Sequence, residues 1–277
     1  MRLLTFRYQK TTHAGLLIGA HIYPLPWPDL LAAAGAGLSA IREAASAAQP
    51  LALDSVVLEA PIHRPGKIIA VGLNYLDHCQ EQNLTPPERP TLFTKFTSSI
   101  LSPGGEVRWD PKLTQSVDYE AELAIVIGRT ARRIPVDQAY EYVFGYTCLN
   151  DLTARDLQRG DGQWVRGKSL DTFCPVGPVV VTTDELPDPH CLRIQTWVND
   201  ELMQDSNTSH LIHTVPALVS YCSTAFTLEP GDIITTGTPG GVGVYRVPPV
   251  FLQPGDRVVV EIEGIGRLEN KVGPYLS

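Results

Sequence analysis

The sequence predicts a mixed, mainly β protein of the α+β class, and three observations support this prediction. Short runs of branched and apolar residues recur along the chain and usually end near Gly or Pro, as strands do. Helical stretches between these runs are few. The 277 residues, 43% of them hydrophobic, suffice for one sizeable core and a small additional domain.

The first 65 residues are predicted to form a small α+β domain. Residues 3–8 and 14–22 contain alternating pieces that predict an antiparallel sheet. Prolines then end the strands, and the Ala- and Leu-rich stretch 29–48 predicts a helix. Two further prolines indicate a linker, so we place a boundary near residue 65, between domains of residues 1–65 and 66–277.

The larger domain is predicted to consist mostly of strands. The predicted strands are residues 67–72, 91–99, 117–127, 145–149, 174–182, 192–198, 231–236, 257–262 and 266–270, and the predicted helices are residues 136–144 and 215–226.

Composition excludes several classes of function. The net charge of −8 argues against a sequence-independent grip on nucleic acid, which needs clustered Lys and Arg. No apolar run approaches 18 residues and no secretory signal is evident, so we expect no membrane partner and a cytoplasmic location. The five cysteines are widely spaced without a C-x-x-C pair, which supports neither a disulfide framework nor a thiolate metal site.

An acidic face marks the strand predicted at 117–127. Because side chains alternate along a strand, Asp118, Glu120 and Glu122 point the same way, about 7 Å apart. Neighbouring carboxylates repel each other unless some are protonated or a cation lies between them, and a hard divalent metal would satisfy this requirement. The alternative is a solvated edge face that keeps the strand soluble.

Asp151 supplies a third acidic group at the end of the apolar run 145–149. Together, Glu120, Glu122 and Asp151 would make an all-oxygen site suited to magnesium, manganese or calcium rather than zinc.

A histidine and a glutamate lie three residues apart in the helical turn predicted after residue 74. At this spacing Glu81 can orient the imidazole of His78 and raise its basicity, which is the geometry of a general base with its partner. A surface salt contact on a short helix is the alternative reading. The polar, proline-rich residues 83–90 that follow are typical of a mobile lid.

Three further side chains are candidates for contact with a substrate. Arg155 and Gln158 share a helical face near the acidic site, where they can hold a carboxylate, although helix capping or pairing between domains would also explain them. Lys95 faces either the pocket or the solvent. The glycine-rich loop 237–243 exposes N–H groups suited to an anion, without the spacing of a Walker or dinucleotide-binding loop.

Four ordered motifs resemble the fumarylacetoacetate hydrolase family over roughly residues 67–272. They are YEAEL at 119–123, NDLTARDLQ at 150–158, RGKS at 166–169 and TGTPGGVG at 236–243. The chain resembles the acylpyruvase-like and 2-hydroxyhepta-2,4-diene-1,7-dioate isomerase-like branch more than the larger true fumarylacetoacetases. This resemblance implies a β-roll or sandwich catalytic domain and a homodimer.

The resemblance also implies roles for individual residues. Mg²⁺ or Mn²⁺ would bind Glu120, Glu122 and Asp151, and Lys168 would stabilise an enolate beside it. His78 and Glu81 would act as the base on a segment that closes over the substrate, while Arg155, Gln158 and Thr238 would hold substrate oxygens.

The implied reaction is hydrolysis of a C–C bond in an acylpyruvate, such as fumarylpyruvate or acetylpyruvate, to pyruvate and a carboxylic acid. The same machinery can decarboxylate oxaloacetate or isomerise or cleave other 2-oxo acids. A non-catalytic metal-binding protein is the alternative from another class, against which the complete set of site residues argues.

Overall fold

The computed structural model describes residues 1–276 and confirms the predicted class: the protein is mainly β, with some helices. The strands are β1 (Arg2–Tyr8), β2 (Thr11–Ile18), β3 (His21–Pro24), β4 (Leu51–Ala52), β5 (Val57–Glu59), β6 (Ile68–Gly72), β7 (Thr91–Lys95), β8 (Ile100–Leu101), β9 (Glu106–Val107), β10 (Val117–Asp118), β11 (Ala121–Ile127), β12 (Val143–Asn150), β13 (Thr153–Ala154), β14 (Cys174–Thr182), β15 (Arg193–Val198), β16 (Glu201–Asn207), β17 (Ile233–Thr235), β18 (Arg257–Ile262) and β19 (Gly266–Val272).

The helices are short and mostly lie outside the sheets. The α-helices are α1 (Leu30–Ala36), α2 (Leu38–Ala47), α3 (Leu76–Glu81), α4 (Arg155–Gly160), α5 (Val165–Lys168) and α6 (Val215–Ala225), and 3-10 turns cover Leu53–Ser55, Thr97–Ser99, Val136–Tyr142, Thr208–His210 and Gly243–Tyr245. Among residues 1–276, every helix is too short or too polar to cross a lipid bilayer.

Within the described residues the strands form three sheets. The largest has the order β4-β3-β2-β1-β14-β12-β11-β17-β6-β7, with β5 added at β1 and β8 at β14. A second sheet has the order β16-β15-β18-β19-β9, and β10 pairs with β13.

Strand β11 is fully buried because both of its faces pack against apolar side chains. Leu123 and Ile125 lie in a core shared with Ile194 and Val260 of the second sheet, so the two sheets form a sandwich. Ala124 and Val126 point to the opposite face and pack in a core that includes residues of α1 and α2. Glu122 shares this second face and lies at the end of the strand where the apolar side chains stop.

The N-terminal strands continue the sheet of the larger domain. Strand β1 pairs antiparallel with β14, with Arg2 opposite Val181 and Leu3 opposite Val180. The largest sheet therefore contains strands from both residues 1–65 and residues 66–277. That these two ranges are separate domains stays a prediction.

Several predicted elements differ from the observed ones. The helix expected at 136–144 is a 3-10 helix over Val136–Tyr142 followed by β12, and the strand expected at 91–99 ends at Lys95. The helix expected at 29–48 is broken at Gly37, whose φ of +88° ends α1 and precedes α2. The strand expected at 117–127 is interrupted at Tyr119 and Glu120, because the Glu120 N–H donates to the Asn150 side chain at 3.0 Å instead of to a neighbouring strand.

Candidate active site

Three buried carboxylates converge where β11 and β12 meet. Pairing of Ala121 with Asn150 brings the two acidic segments together, and the Asp151 N–H donates to the Glu120 carbonyl at 2.9 Å. One oxygen each of Glu120, Glu122 and Asp151 lies within 4.8 Å of the others. Within residues 1–276, this is the only group of three or more potential ligands of this kind.

Two lysines from other elements neutralise part of this charge. The Lys168 ammonium donates to Glu120 Oε2 and Asp151 Oδ2, both at 2.7 Å. Lys95 is buried, and its Nζ donates to Asp151 Oδ1 at 2.6 Å and to the Lys168 carbonyl. The sequence left open whether Lys95 faces the pocket or the solvent. In the structure it does neither, and its ammonium forms a buried ion pair with Asp151.

The carboxylates differ sharply in their electrostatic surroundings. Burial opposes ionisation of Glu120, but the charges of Lys168 and Arg155 lower its pKa to about 2. Burial and the charges of Asp151 and Glu120 raise the pKa of Glu122 well above its usual range. No Lys or Arg of the described chain forms an ion pair with Glu122.

These residues fit a divalent metal ion. The donor set consists of carboxylate oxygens, which Mg²⁺ and Mn²⁺ prefer. Glu122 accepts a hydrogen bond from the Gly237 N–H at 2.9 Å but has no cationic partner, and a divalent ion would favour its ionised form, which burial and the neighbouring carboxylates oppose.

Helix α3 presents the predicted base and its partner. His78 Nδ1 lies 2.9 Å from Glu81 Oε2, and because a carboxylate only accepts, this nitrogen carries the proton. Nε2 of the neutral ring is therefore the acceptor, and the Gln82 amide donates to it at 2.8 Å. The Tyr245 hydroxyl donates in turn to Gln82 Oε1 at 2.9 Å.

Arg155 is buried and anchored by two carboxylates. Its Nε lies 2.8 Å from Asp118 Oδ2 and its Nη1 lies 2.7 Å from Glu120 Oε1. Nη2 is buried and has no hydrogen-bond partner in the described chain. Nη2 is therefore the one guanidinium nitrogen of Arg155 that the described chain leaves unpaired.

Two neighbouring side chains retain unused donors. Gln158 Oε1 accepts from Arg155 Nη1 at 3.1 Å, which leaves its amide hydrogens directed elsewhere. Thr238 Oγ1 accepts from the Gln204 amide at 2.8 Å, so its hydroxyl hydrogen can donate to a ligand.

The glycine-rich loop binds carboxylates of the protein itself. Its N–H groups donate to Glu122 from Gly237 at 2.9 Å, to Asp77 from Gly240 at 3.3 Å, to Glu81 from Gly241 at 2.9 Å and to Asp118 from Gly243 at 2.8 Å. The sequence predicted that this loop receives an anion; the anions are the side chains that build the site.

A cavity of about 380 Å³ joins most of these groups. Six predicted residues line it: His78, Glu120, Arg155, Gln158, Lys168 and Thr238. The other four are not among its lining residues: Glu81 contacts His78, Asp151 contacts Lys168, Lys95 contacts Asp151, and Glu122 lies beside Glu120 and Asp151.

Sequence reasoning missed several further lining residues, of which Gln82, Arg159, Trp164 and Tyr245 have polar or aromatic side chains near the predicted groups. The spacing of two of them in the sequence could have identified them. Gln82 follows His78 by four positions and Arg159 follows Arg155 by four, a spacing that places both pairs on common helix faces.

The residues before the strand β7 also border the cavity. Leu84 lines it although its side chain is 46% exposed, so the predicted lid lies at the entrance. The His213 ring contacts this segment, since its Nε2 lies 3.2 Å from the Pro87 carbonyl.

Comparison with known proteins agrees with this geometry. The family model described as "Fumarylacetoacetate (FAA) hydrolase C-terminal" matches residues 67–273. The chain belongs to the fumarylacetoacetate hydrolase family. Members of this family and the curated relatives are enzymes that act on oxo acids, and the chain is an enzyme of this kind.

Individual relatives of this fumarylacetoacetate hydrolase family member carry different names. The mitochondrial oxaloacetate tautomerase Fahd2a of Rattus norvegicus is 48% identical over 85% of the chain and 75% of its own length. A fumarylacetoacetate hydrolase of Exiguobacterium antarcticum matches with a TM-score of 0.90 at 42% identity, covering 99% of both chains.

A third relative was solved with ligands. The maleylpyruvate hydrolase of Sphingobium sp. SYK-6, in complex with manganese(II) and pyruvate, matches with a TM-score of 0.82 at 34% identity over 100% of both chains. The recognition of the family from four motifs is thus confirmed.

Proposed function

We propose that the chain catalyses the metal-dependent enol–keto tautomerisation of oxaloacetate. One observation carries the proposal: the base His78 lines the same cavity as Glu120 and Lys168, so a proton acceptor and a site for negative charge face one small volume. The name of the 48%-identical relative supports the choice of substrate.

The donors along the cavity orient the acid. Arg155 Nη2, the Gln158 amide and the Thr238 hydroxyl would bind oxygens of the C1 carboxylate and the 2-oxo group. The Lys168 ammonium, which Asp151 and Glu120 keep charged despite its burial, lies beside the developing charge.

The proton transfer needs a single base. In the keto-to-enol direction His78 Nε2 takes a proton from C3, the C3–H electron pair forms the C2=C3 bond, and the carbonyl pair moves to O2. The imidazolium then gives the proton to O2, so no co-reactant is consumed. Because Gln82 donates to the same nitrogen, its amide must rotate away for this step.

Glu120, Glu122 and Asp151 would hold the Mg²⁺ or Mn²⁺ ion. The chemistry that such an ion supplies is Lewis-acid stabilisation of negative charge on O2.

The test follows the disappearance of enol-oxaloacetate by its ultraviolet absorbance, before and after chelation with EDTA. His78→Ala should lower the catalysed rate by about 10²- to 10⁴-fold, the usual contribution of a general base. His21→Ala, which changes an exposed histidine of strand β3, serves as the control. A rate that survives EDTA, or equals that of buffer alone, would overturn the proposal.

Hydrolysis of acylpyruvates is the second candidate, and the similarity to maleylpyruvate hydrolase favours it. In that reaction His78 would activate a water to attack the distal carbonyl. Faster pyruvate release from fumarylpyruvate or acetylpyruvate than tautomerisation of oxaloacetate would select hydrolysis. Direct decarboxylation would release pyruvate from oxaloacetate in the same assay.

We also propose that the protein forms a homodimer and is located in the cytoplasm. Sedimentation velocity of the purified chain and fluorescence localisation of a tagged chain would test them.

A further inference from the structure

The outer part of the cavity contains a cation that no protein carboxylate neutralises. Three strongly basic side chains line the cavity: Arg155, Lys168 and Arg159. The first two form ion pairs with buried carboxylates at 2.7–2.8 Å. Arg159 is exposed, and no ion pair or hydrogen bond joins it to any residue of the described range 1–276.

Arg159 lies near an aromatic ring at the entrance of the cavity. It lies four residues after Arg155 on α4 and therefore on the same helix face. Its guanidinium carbon lies 6.0 Å from the centre of the Tyr245 ring, at the distance of a cation–π contact. The hydrogen bond from the Tyr245 hydroxyl to Gln82 fixes this ring against the helix that carries His78.

The charges of the site leave room for a dianion. With a divalent ion bound and its carboxylate ligands ionised, four carboxylates (Asp118, Glu120, Glu122 and Asp151) face the charges of the ion and of three side chains (Lys95, Lys168 and Arg155). Their sum is one positive charge, and Arg159 raises it to two. A monoanionic acid would leave one of these charges unmatched.

We propose that Arg159 binds the distal carboxylate of a dicarboxylic 2-oxo acid and so makes the cavity selective for dianions over monoanions. This inference rests on the proposed function, since it assigns the inner donors to the 2-oxo carboxylate end. The guanidinium presents paired N–H groups to a carboxylate, and the Tyr245 ring lies beside it at the distance of a cation–π contact.

The alternative is a purely structural role for Arg159. It lies in the last turn of α4, where a basic residue interacts favourably with the helix dipole. That role predicts a change in stability that is independent of the ligand, whereas the proposed role predicts a change that depends on the second carboxylate.

The experiment compares two unreactive ligands that differ in one carboxylate: L-malate, a dianion, and L-lactate, a monoanion. Binding is measured by titration calorimetry with Mn²⁺ present. Arg159→Met should raise the Kd for malate by about 10- to 100-fold and change the Kd for lactate by less than about 2-fold. Arg159→Lys keeps a charge and should recover part of the affinity.

Arg267→Met is the matched control. Arg267 also stacks on an aromatic ring, with its guanidinium carbon 5.4 Å from the centre of Trp197, but it lies outside the cavity lining. Neither Kd should change in this variant.

Equal weakening of both ligands by Arg159→Met, or no weakening, would overturn the inference, as would a wild-type protein that binds malate no better than lactate. Failure of the proposed function would look different: malate selectivity would still depend on Arg159, while oxaloacetate would not be tautomerised.

Discussion

Replacement of Lys95 by Met tests whether the carboxylate site is held by the buried charges around it. The two side chains have similar length, but Met lacks the ammonium that lies 2.6 Å from Asp151 Oδ1. Both Lys95 and Asp151 have side chains that are 0% exposed, so water cannot replace the lost partner. Removing one member of a buried ion pair costs about 3–5 kcal/mol, and because Asp151 keeps the Lys168 ammonium at 2.7 Å, we expect a loss of about 3 kcal/mol.

For a chain of this length, that loss corresponds to a fall of roughly 6–12 °C in Tm. The assay is thermal unfolding in EDTA, followed by circular dichroism, together with urea unfolding to obtain the free energy. The variant also leaves the carboxylate group with one additional uncompensated negative charge, so added Mn²⁺ should raise its Tm by more than it raises that of the wild type.

Lys67→Met is the matched control. Its Nζ lies 2.6 Å from Asp232 Oδ2, but Asp232 also accepts N–H hydrogen bonds from Lys67 and Glu229. This variant should lose less stability and respond to Mn²⁺ like the wild type. Stability of Lys95→Met within about 1 kcal/mol of the wild type, or an unchanged response to Mn²⁺, would refute the reasoning.

Three further predictions concern Asp151, Gly243 and His213. Asp151→Asn should abolish the rise in Tm that Mn²⁺ produces, and a preserved rise would remove Asp151 from the ligand set. Gly243→Ala should lose about 1–3 kcal/mol in urea unfolding, because its Cβ would lie 1.9 Å from the Val250 carbonyl oxygen, whereas Gly160→Ala, with open space at that position, should not. Burial lowers the pKa of His213, so as the pH falls the unfolded chain binds a proton at this residue before the folded chain does. The free energy of unfolding therefore falls as the pH drops below about 6.5. His213→Gln should flatten this part of the pH–stability curve, and an unchanged slope would contradict the assignment.

The sequence predicted the composition of the site better than its internal contacts. Residues on one strand or one helical turn can be related by spacing alone, which is how the pairs Glu120 and Glu122 and His78 and Glu81 were found, whereas Asp151 was added from a separate segment. The partner of Lys95 could not be found this way, because Asp151 lies 56 positions away and only the folded sheet brings the two together.

The partners of the backbone N–H groups could not be predicted from the sequence either. The N–H groups of the glycine-rich loop have no signature that specifies which carboxylate they bind, so the sequence suggested an external anion. The break at Tyr119 and Glu120 was missed for a related reason: the competing acceptor, the Asn150 side chain, becomes a neighbour only after β11 and β12 have paired.

The loop from Gly237 to Gly243 limits how this enzyme can be redesigned. One short stretch of main chain sets the orientation of Glu81, Glu122 and Asp118 at once, so any alteration of its path would disturb all three together. Directed evolution towards other acids should therefore succeed more readily at Arg159 and Trp164, which border the cavity from outside this stretch and can be exchanged one side chain at a time.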